Sequence, residues 1–418
     1  MSTRNLDAIL RPRSVALVGA STRERSVGDV VARNLLAGGF EGPVMPVNPH
    51  HDAVHGVLAY RDVSHLPQAP DLAVICTPPA SVPGLIAELG ARGTRGAVVI
   101  TAGFGELGTG EGKALERAML EAARPHLLRV VGPNCVGVLV PGVGLNASFA
   151  HVSPARGGIA FVTQSGAMVT AVLDWAASRG IGFSHLVSVG DMADVDFGDL
   201  LDYLALDPSA RAILLYVEAI THARKFMSAA RAAARLKPVI VIKAGRHAES
   251  ARAAASHTGA LAGVDAVYDA AFRRAGMLRV FTLDELFDAV ETLAMAPSFV
   301  GDRLTILTNG GGMGVLATDT LLDLGGRLAA LDAATLAKLD AVLPRTWSRG
   351  NPVDIIGDAS GERYAAALNV LLGASDSDAI LVLNCPTAVA DPLDAARAVA
   401  DTLQGGRHPV LTSWLGAD

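Results

Sequence analysis

The sequence predicts an α/β protein built from wound parallel sheets, and three observations carry that reading. Short apolar runs alternate with amphipathic stretches along all 418 residues. Half of the residues are hydrophobic and only 18% are charged, below the roughly 25% of ordinary domains, as suits sheets covered on both faces. A stretch from the middle of the chain recurs near its end, which implies a duplicated unit.

The runs Val15-Ala16-Leu17-Val18, Ala73-Val74-Ile75 and Ala97-Val98-Val99-Ile100 read as buried strands. Ser81 to Arg92 reads as a helix, with Ser81 as N-cap and Pro83 tolerated in the first turn. Strands also begin at Gly158-Ile159-Ala160-Phe161-Val162 and at Arg303-Leu304-Thr305-Ile306-Leu307. The length suggests about three domains. Their expected limits are 1–142, 150–298 and 302–418, the last following the linker from Pro297 to Asp302.

Composition excludes several classes. A net charge of −6 weighs against a nucleic-acid binder, whose affinity rests on Lys and Arg. Cys76, Cys135 and Cys385 lie far apart without metal-type spacing, so no metal site is expected and a reducing compartment is implied. Met1 to Asp7 carries no apolar signal core, and no run approaches the ~20 apolar residues of a membrane span. A soluble, cytoplasmic chain is the expectation.

The repeat aligns Val162-Thr163-Gln164-Ser165-Gly166-Ala167-Met168 with Leu307-Thr308-Asn309-Gly310-Gly311-Gly312-Met313. Gly180 and Gly325 fall at the same distance downstream. Ile213 to Glu218 aligns with Ile380 to Cys385, and Lys237-Pro238-Val239-Ile240-Val241 with His408-Pro409-Val410-Leu411. Each copy is expected to be a flavodoxin-like sheet with ligands at the carboxyl ends of its strands. Glu218 becomes Cys385 in the second copy, and the segment around His257 has no counterpart there. Only the first copy therefore has equipment for chemistry, and the second reads as a docking surface.

Three glycine turns pass from a strand directly into a helix, the context that cradles anions. The first, Gly19-Ala20-Ser21 onward to Gly28, lacks the full G-x-G-x-x-G pattern. The next strand, Val44-Met45-Pro46-Val47-Asn48-Pro49, ends without the acidic residue of a nicotinamide site. The second turn is Gln164-Ser165-Gly166 and the third Asn309-Gly310-Gly311. Each is equally an ordinary α/β turn when taken alone. Glu218 ends an apolar strand, where a carboxylate needs a partner. Pairing with Lys243 or Arg246 would satisfy that need as well as any catalytic role. A lone histidine is usually a surface or packing residue, but small residues follow His257, and Glu218 and an anion-binding turn precede it. Asp354 reads as a turn residue, and the cysteines as core or turn residues without an adjacent base.

The segment Ser256-His257-Thr258-Gly259-Ala260-Leu261-Ala262-Gly263 resembles the phosphohistidine loop of nucleoside-diphosphate-forming acyl-CoA synthetases. That family includes ADP-forming acetyl-CoA synthetase and, more distantly, succinyl-CoA synthetase. The likeness extends over essentially the whole chain, through Pro46-Val47-Asn48-Pro49, Cys76-Thr77-Pro78-Pro79, Gly132-Pro133-Asn134-Cys135-Val136-Gly137 and Asn351-Pro352-Val353-Asp354-Ile355. It implies a Rossmann-like CoA-binding domain followed by two flavodoxin-like domains. It places coenzyme A against Gly19, Ala20, Ser21, Asn48, Thr77, Pro78 and Asn134, and phosphate against Gln164, Ser165 and Gly166. It adds Gly310 and Gly311 as contacts to phosphohistidine from the other side. His257 becomes the phosphoryl carrier, with Glu218 fixing its tautomer so that the other ring nitrogen can attack phosphorus.

The implied reaction converts acyl-CoA, phosphate and ADP into acid, CoA and ATP, reversibly, through acyl phosphate and phosphohistidine. No segment resembles the family's nucleotide-grasping (ATP-grasp) domain, which would hold ADP or ATP with Mg²⁺. A partner subunit or a continuation beyond Asp418 is expected to supply it, and an oligomer is expected. The resemblance also covers the acyl-CoA-sensing region of some protein lysine acetyltransferases, which is the alternative function.

Overall fold

A computed structural model describes residues 3–247, 249–250, 264–295, 300–406 and 408–416. The chain divides into two compact units, Met1–Ala294 and Met295–Asp418, each described here by itself. Among the described residues no helix is long and apolar enough to cross a membrane.

The first unit contains two large sheets and one two-stranded sheet. In chain order its strands are β1 (Val15–Val18), β2 (Val44–Val47), a small hairpin of β3 (Ala53–Val54) and β4 (Val57–Leu58), then β5 (Leu72–Ile75), β6 (Gly96–Val99) and β7 (Arg129–Val131). The first sheet has the order β2-β1-β5-β6-β7 and is parallel throughout. Its strands are buried almost without interruption, which is why they read as continuous apolar runs rather than alternating ones.

The second sheet is formed by β8 (Gly137–Val140), β9 (Leu145–Ser148), β10 (Arg156–Thr163), β11 (Phe183–Ser188), β12 (Ala212–Val217), β13 (Val239–Lys243) and β14 (Leu278–Val280), in the order β14-β13-β12-β10-β11-β8-β9. Strands β10 to β14 are parallel in the 2-1-3-4-5 order of a flavodoxin-like sheet. The β8–β9 hairpin pairs antiparallel to β11. Pro141 sits in the turn of this hairpin, and the second sheet begins at Gly137. One hydrophobic core runs from Leu17 and Val74 in the first sheet through Val138 and Val140 to Val162, Val187 and Leu215 in the second. A charged cluster reinforces the junction. Arg129 at the start of β7 bonds Asp194 and Asp199, both at 2.9 Å, and Lys225 reaches Asp199 at 2.6 Å.

The second unit repeats the pattern in β15 (Arg303–Thr308), β16 (Arg327–Leu328), β17 (Val353–Asp354), β18 (Ala379–Asn384) and β19 (Val410–Trp414). All pair in parallel in the order β16-β15-β18-β19, with β17 beside the end of β15. The registers coincide with those of the first copy. Thr163 faces Tyr216 and Thr308 faces Leu383, while Ile213 faces Val239 and Ile380 faces Val410.

One local expectation fails. Ser81 does not cap the helix Val82–Arg92. It closes a 3-10 turn, and its hydroxyl donates to the Pro78 carbonyl and Thr77 Oγ1 at 2.7 and 2.9 Å. The preceding prolines start the turn earlier than an N-cap at Ser81 requires.

A candidate active-site cleft between two sheets

The carboxyl ends of both large sheets in the first unit open into a cleft of about 670 Å³. Its wall carries Thr77 and Pro78 after β5, Thr101 after β6, Asn134 after β7, Ser165 and Gly166 after β10, Asp191 after β11, and Glu218 after β12. The strand order thus brings together residues that are far apart in sequence.

On the first-sheet side, the Gly19 turn leads into the helix Val27–Ala37, capped by Ser26 Oγ accepting from the Asp29 N–H at 3.3 Å. Gly28 is required for close packing, because a Cβ there would lie 2.0 Å from the Gly19 carbonyl oxygen. Asn48 donates to the Ala20 carbonyl at 2.6 Å and accepts from the His50 N–H at 2.8 Å. Ser21 Oγ accepts from the Arg23 N–H at 3.0 Å. These bonds shape the turn. Arg23 and Val27 line the cleft, together with Thr77, Pro78 and Asn134, and Gly19, Ala20, Ser21 and Asn48 are not among its lining residues. Thr101 Oγ1 donates to the Thr77 carbonyl at 2.7 Å and joins the ends of β5 and β6.

On the second-sheet side, the helix Gly166–Ser178 starts at the cleft. Ser165 is in extended conformation at its N-cap, and its hydroxyl makes no capping bond. The Ser165 N–H donates to Thr163 Oγ1 at 3.0 Å. Unsatisfied N–H groups of the first helical turn and the helix dipole make this end attractive to an anion. Gln164 lines the cleft beside Ser165 and Gly166 and also joins two strand ends. Its Oε1 accepts from the backbone N–H groups of Glu218 and Ala219, at 2.6 and 2.9 Å. The amide therefore clasps the end of β12 against the end of β10 and fixes where Glu218 sits.

Glu218 is 8% exposed. Burial, then the charge of Glu218, raises the pKa of Tyr216. Lys243, opposite Val217 in the ladder, is also buried. Burial holds its pKa below the ordinary value despite the opposing charges of Asp265 and Glu218. Its ammonium sits 4.7 Å from the centre of the Tyr268 ring and donates to the Ala244 carbonyl. His257 lies outside the described residues.

Two cysteines reach the cleft wall. Burial pushes Cys76 up to about 12 and raises Cys135 as well, so both thiols stay protonated at neutral pH. Sequence reasoning missed Asp191. Its only local signal is an acidic residue after a glycine beyond β11, and its neighbours in the fold come from the first sheet.

Gly310 and Gly311 lie in the second unit at the start of the helix Gly311–Asp323. The Gly310 N–H donates to Thr308 Oγ1 at 3.0 Å, as Ser165 does to Thr163. Asp354 Oδ1 accepts from the Ile356 N–H at 2.9 Å, a turn-forming bond. Asn351 accepts from Ile306 N–H and donates to the carbonyls of Leu304 and Ala329, so it is tied to the β15 and β16 ends.

Three family profiles cover most of the chain. The CoA binding domain matches residues 13–141, the succinyl-CoA ligase like flavodoxin domain 156–293, and the ligase-CoA domain 304–415. The α subunit of acetate–CoA ligase (ADP-forming) I from Pyrococcus furiosus is 40% identical over 419 residues, covering 99% of this chain and 90% of that one. Acetate–CoA ligase (ADP-forming) I from Archaeoglobus fulgidus is 42% identical over 94% of this chain, which spans only 57% of that longer protein. The solved structure of acetyl-coenzyme A synthetase 1 from Candidatus Korarchaeum cryptofilum, in complex with phosphate and ADP, superposes with a TM-score of 0.92. It shares 39% identity over 99% of this chain and 89% of its own. With these likenesses running through both units, the chain belongs to the ADP-forming acyl-CoA synthetases of the succinyl-CoA synthetase superfamily and corresponds in extent to their α subunit.

Proposed function

We propose that this chain is the CoA-handling and phosphoryl-carrying part of an enzyme that interconverts acyl-CoA, phosphate and ADP with carboxylic acid, CoA and ATP. The observation that carries this reading is the shared cleft. Thr77, Pro78 and Asn134, the residues expected to touch coenzyme A, open onto the same space as Ser165, Gly166 and Glu218. A thioester and a phosphate held there would be within reach of one another.

In the first step a phosphate oxygen attacks the thioester carbon and CoA leaves, giving acyl phosphate. The N-terminus of the helix Gly166–Ser178 and the Ser165 hydroxyl stabilise the phosphoryl oxygens as charge spreads over them. In the second step a ring nitrogen of His257 attacks phosphorus, the acyl–O–P linkage breaks and the carboxylate is released. Glu218, held by the Gln164 clasp, fixes the ring's tautomer. In the third step the phosphoryl group passes to ADP, bound with Mg²⁺ by an ATP-grasp partner or continuation. The three free cysteines support a reducing, cytoplasmic setting.

The experiment is a half-reaction that needs no nucleotide. The chain is given acetyl-CoA and arsenate, which stands in for phosphate and makes the step irreversible because acyl arsenates hydrolyse. Arsenate-dependent release of free thiol is expected. Absence of release, or absence of CoA binding by calorimetry, rejects the reading.

A further inference from the structure

The segment after β11 belongs to the second sheet but is bonded along the first. The N–H groups of Asp191, Ala193 and Val195 donate to the carbonyls of Pro133, Gly132 and Val130, each at 3.1 Å. Gly190 permits the approach. Its φ is +51°, and a Cβ there would lie 2.1 Å from the Pro133 carbonyl oxygen. Asp191 is thereby carried into the cleft wall.

Asp191 Oδ1 accepts from Asn134 Nδ2 at 3.2 Å. Oδ2 is buried and no donor of the described residues reaches it. Besides Asn134, the side chain that acts most strongly on Asp191 is Glu106, another carboxyl. Both Glu106 oxygens already accept backbone N–H groups, Oε1 from Gly103 and Oε2 from Phe104 at 2.8 Å. Two neighbouring carboxyls that repel one another do not both ionise readily, so the pair holds one proton. Glu106, with its two N–H donors, is the better anion, which leaves the proton on Asp191. Burial, together with the adjacent Glu106, pushes Asp191 up to about 8. Burial alone would raise Glu106, but the Gly103 N–H and the Asp191 side chain outweigh it and hold Glu106 below the ordinary range. The other titratable groups around the pair are Glu116, raised by burial and tempered by Lys113, and the protonated thiol of Cys135. Arg23 and Glu218 complete the charged lining of the cleft.

We propose that Asp191, backed by Glu106, is the acid–base group for the sulfur of coenzyme A. This rests on the activity proposed above. In the thioester-cleaving direction an oxygen of the hydrogen phosphate dianion bonds to the acyl carbon. The carbon–sulfur bond breaks, its electron pair stays on sulfur, and the Asp191 proton moves to sulfur to give neutral thiol. The carboxyl pair then recovers one proton from the P–OH group that the phosphate brought. Thioester and hydrogen phosphate dianion thus become thiol and acyl phosphate dianion, with the pair restored. Each transfer reverses in thioester synthesis.

The test is the acetyl-CoA and arsenate assay, run across pH, with CoA affinity measured alongside. Asp191→Asn keeps the shape and a hydrogen-bond donor toward Glu106 but has no proton to transfer. It is expected to slow thiol release by about 10²-fold or more, the usual range for a general acid, with CoA affinity changed less than about twofold. The protonated form is the active one for cleavage, so wild-type kcat/KM should fall as pH rises through about 8. Glu106→Gln removes the neighbouring anion, and the inflexion should move to lower pH. A loss of no more than about twofold in Asp191→Asn, or an inflexion unmoved in Glu106→Gln, overturns the proposal. Should Asp191→Asn fail to bind CoA, the Glu106→Gln profile alone decides it. A wild-type chain with no thiol release rejects the underlying activity itself, whereas an active wild type with an equally active Asp191→Asn rejects only this assignment.

Discussion

The two flavodoxin-like copies use one scaffold and differ where chemistry is required. In both, a threonine at the end of the first strand accepts the N–H two residues on, at 3.0 Å. In both, an amide beside it clasps the end of the neighbouring strand. Gln164 accepts from Glu218 and Ala219 N–H, and Asn309 accepts from Cys385 N–H at 2.7 Å while donating to the Cys385 carbonyl at 2.9 Å. What the clasp presents has changed, from the carboxylate of Glu218 to the thiol of Cys385, which burial keeps protonated. The turn opens with serine in one and glycine in the other. The shared features maintain the strand-to-helix turn, and the replaced ones are those proposed to act on phosphorus.

The helices after the turns differ in a second way. The helix Gly166–Ser178 buries Val169, Val172, Leu173 and Ala176. It is covered in part by the helix Leu283–Met295, with Trp175 and Phe287 stacked 4.3 Å apart. In the helix Gly311–Asp323, Gly314 is the buried residue, and Leu316 is 59% exposed. Among the described residues the second unit has no counterpart of the covering helix.

Substitutions can break this comparison. The largest effect is expected at its point of divergence. Glu218→Gln should reduce phosphohistidine formation by about 10²-fold or more, while Cys385→Ala leaves it within about twofold. Equal sensitivity at the two positions, measured as initial phosphorylation rates, would remove the claim that only the first copy is chemically equipped. Next come the two helices. Leu173→Ala should cost about 2–5 kcal/mol in urea unfolding, whereas Leu316→Ala should stay within about 0.5 kcal/mol. A large loss at Leu316 would mean that its face is covered. Smaller still are the clasps. Gln164→Ala and Asn309→Ala each leave buried backbone groups unpaired, for about 1–3 kcal/mol. Gln164→Ala should also slow phosphorylation, because Glu218 loses its support, and Asn309→Ala should change stability alone. The same rate in both variants would show that the clasp does not position the carboxylate.

Much of this was legible in the sequence because its determinants are local. The turn residues, the apolar strands and the repeat all sit within short windows, and the matched strand registers follow the sequence alignment. Three features were not local. The hairpin Gly137 to Ser148 shows a glycine-rich turn, but nothing nearby indicates that its pairing strand is β11, which welds the first two sheets into one unit. The chemistry proposed for Asp191 depends on its burial and on Glu106 and Asn134, which follow two other strands. Gln164 was placed at the site, but its role as a clasp depends on Glu218 lying one strand away. Ser81 shows the reverse error, a local cap signal overridden by the prolines before it.

The central claim is that an imidazole of this chain carries phosphorus from the cleft to a nucleotide. Incubation with γ-labelled ATP, Mg²⁺ and the ATP-grasp subunit of an ADP-forming acetate–CoA ligase tests it directly, comparing wild type with His257→Ala. Acid-labile, base-stable label confined to the wild-type chain, and discharged by acetate with CoA, is the result expected. Equal labelling of both proteins, or label that acetate and CoA do not remove, would contradict it.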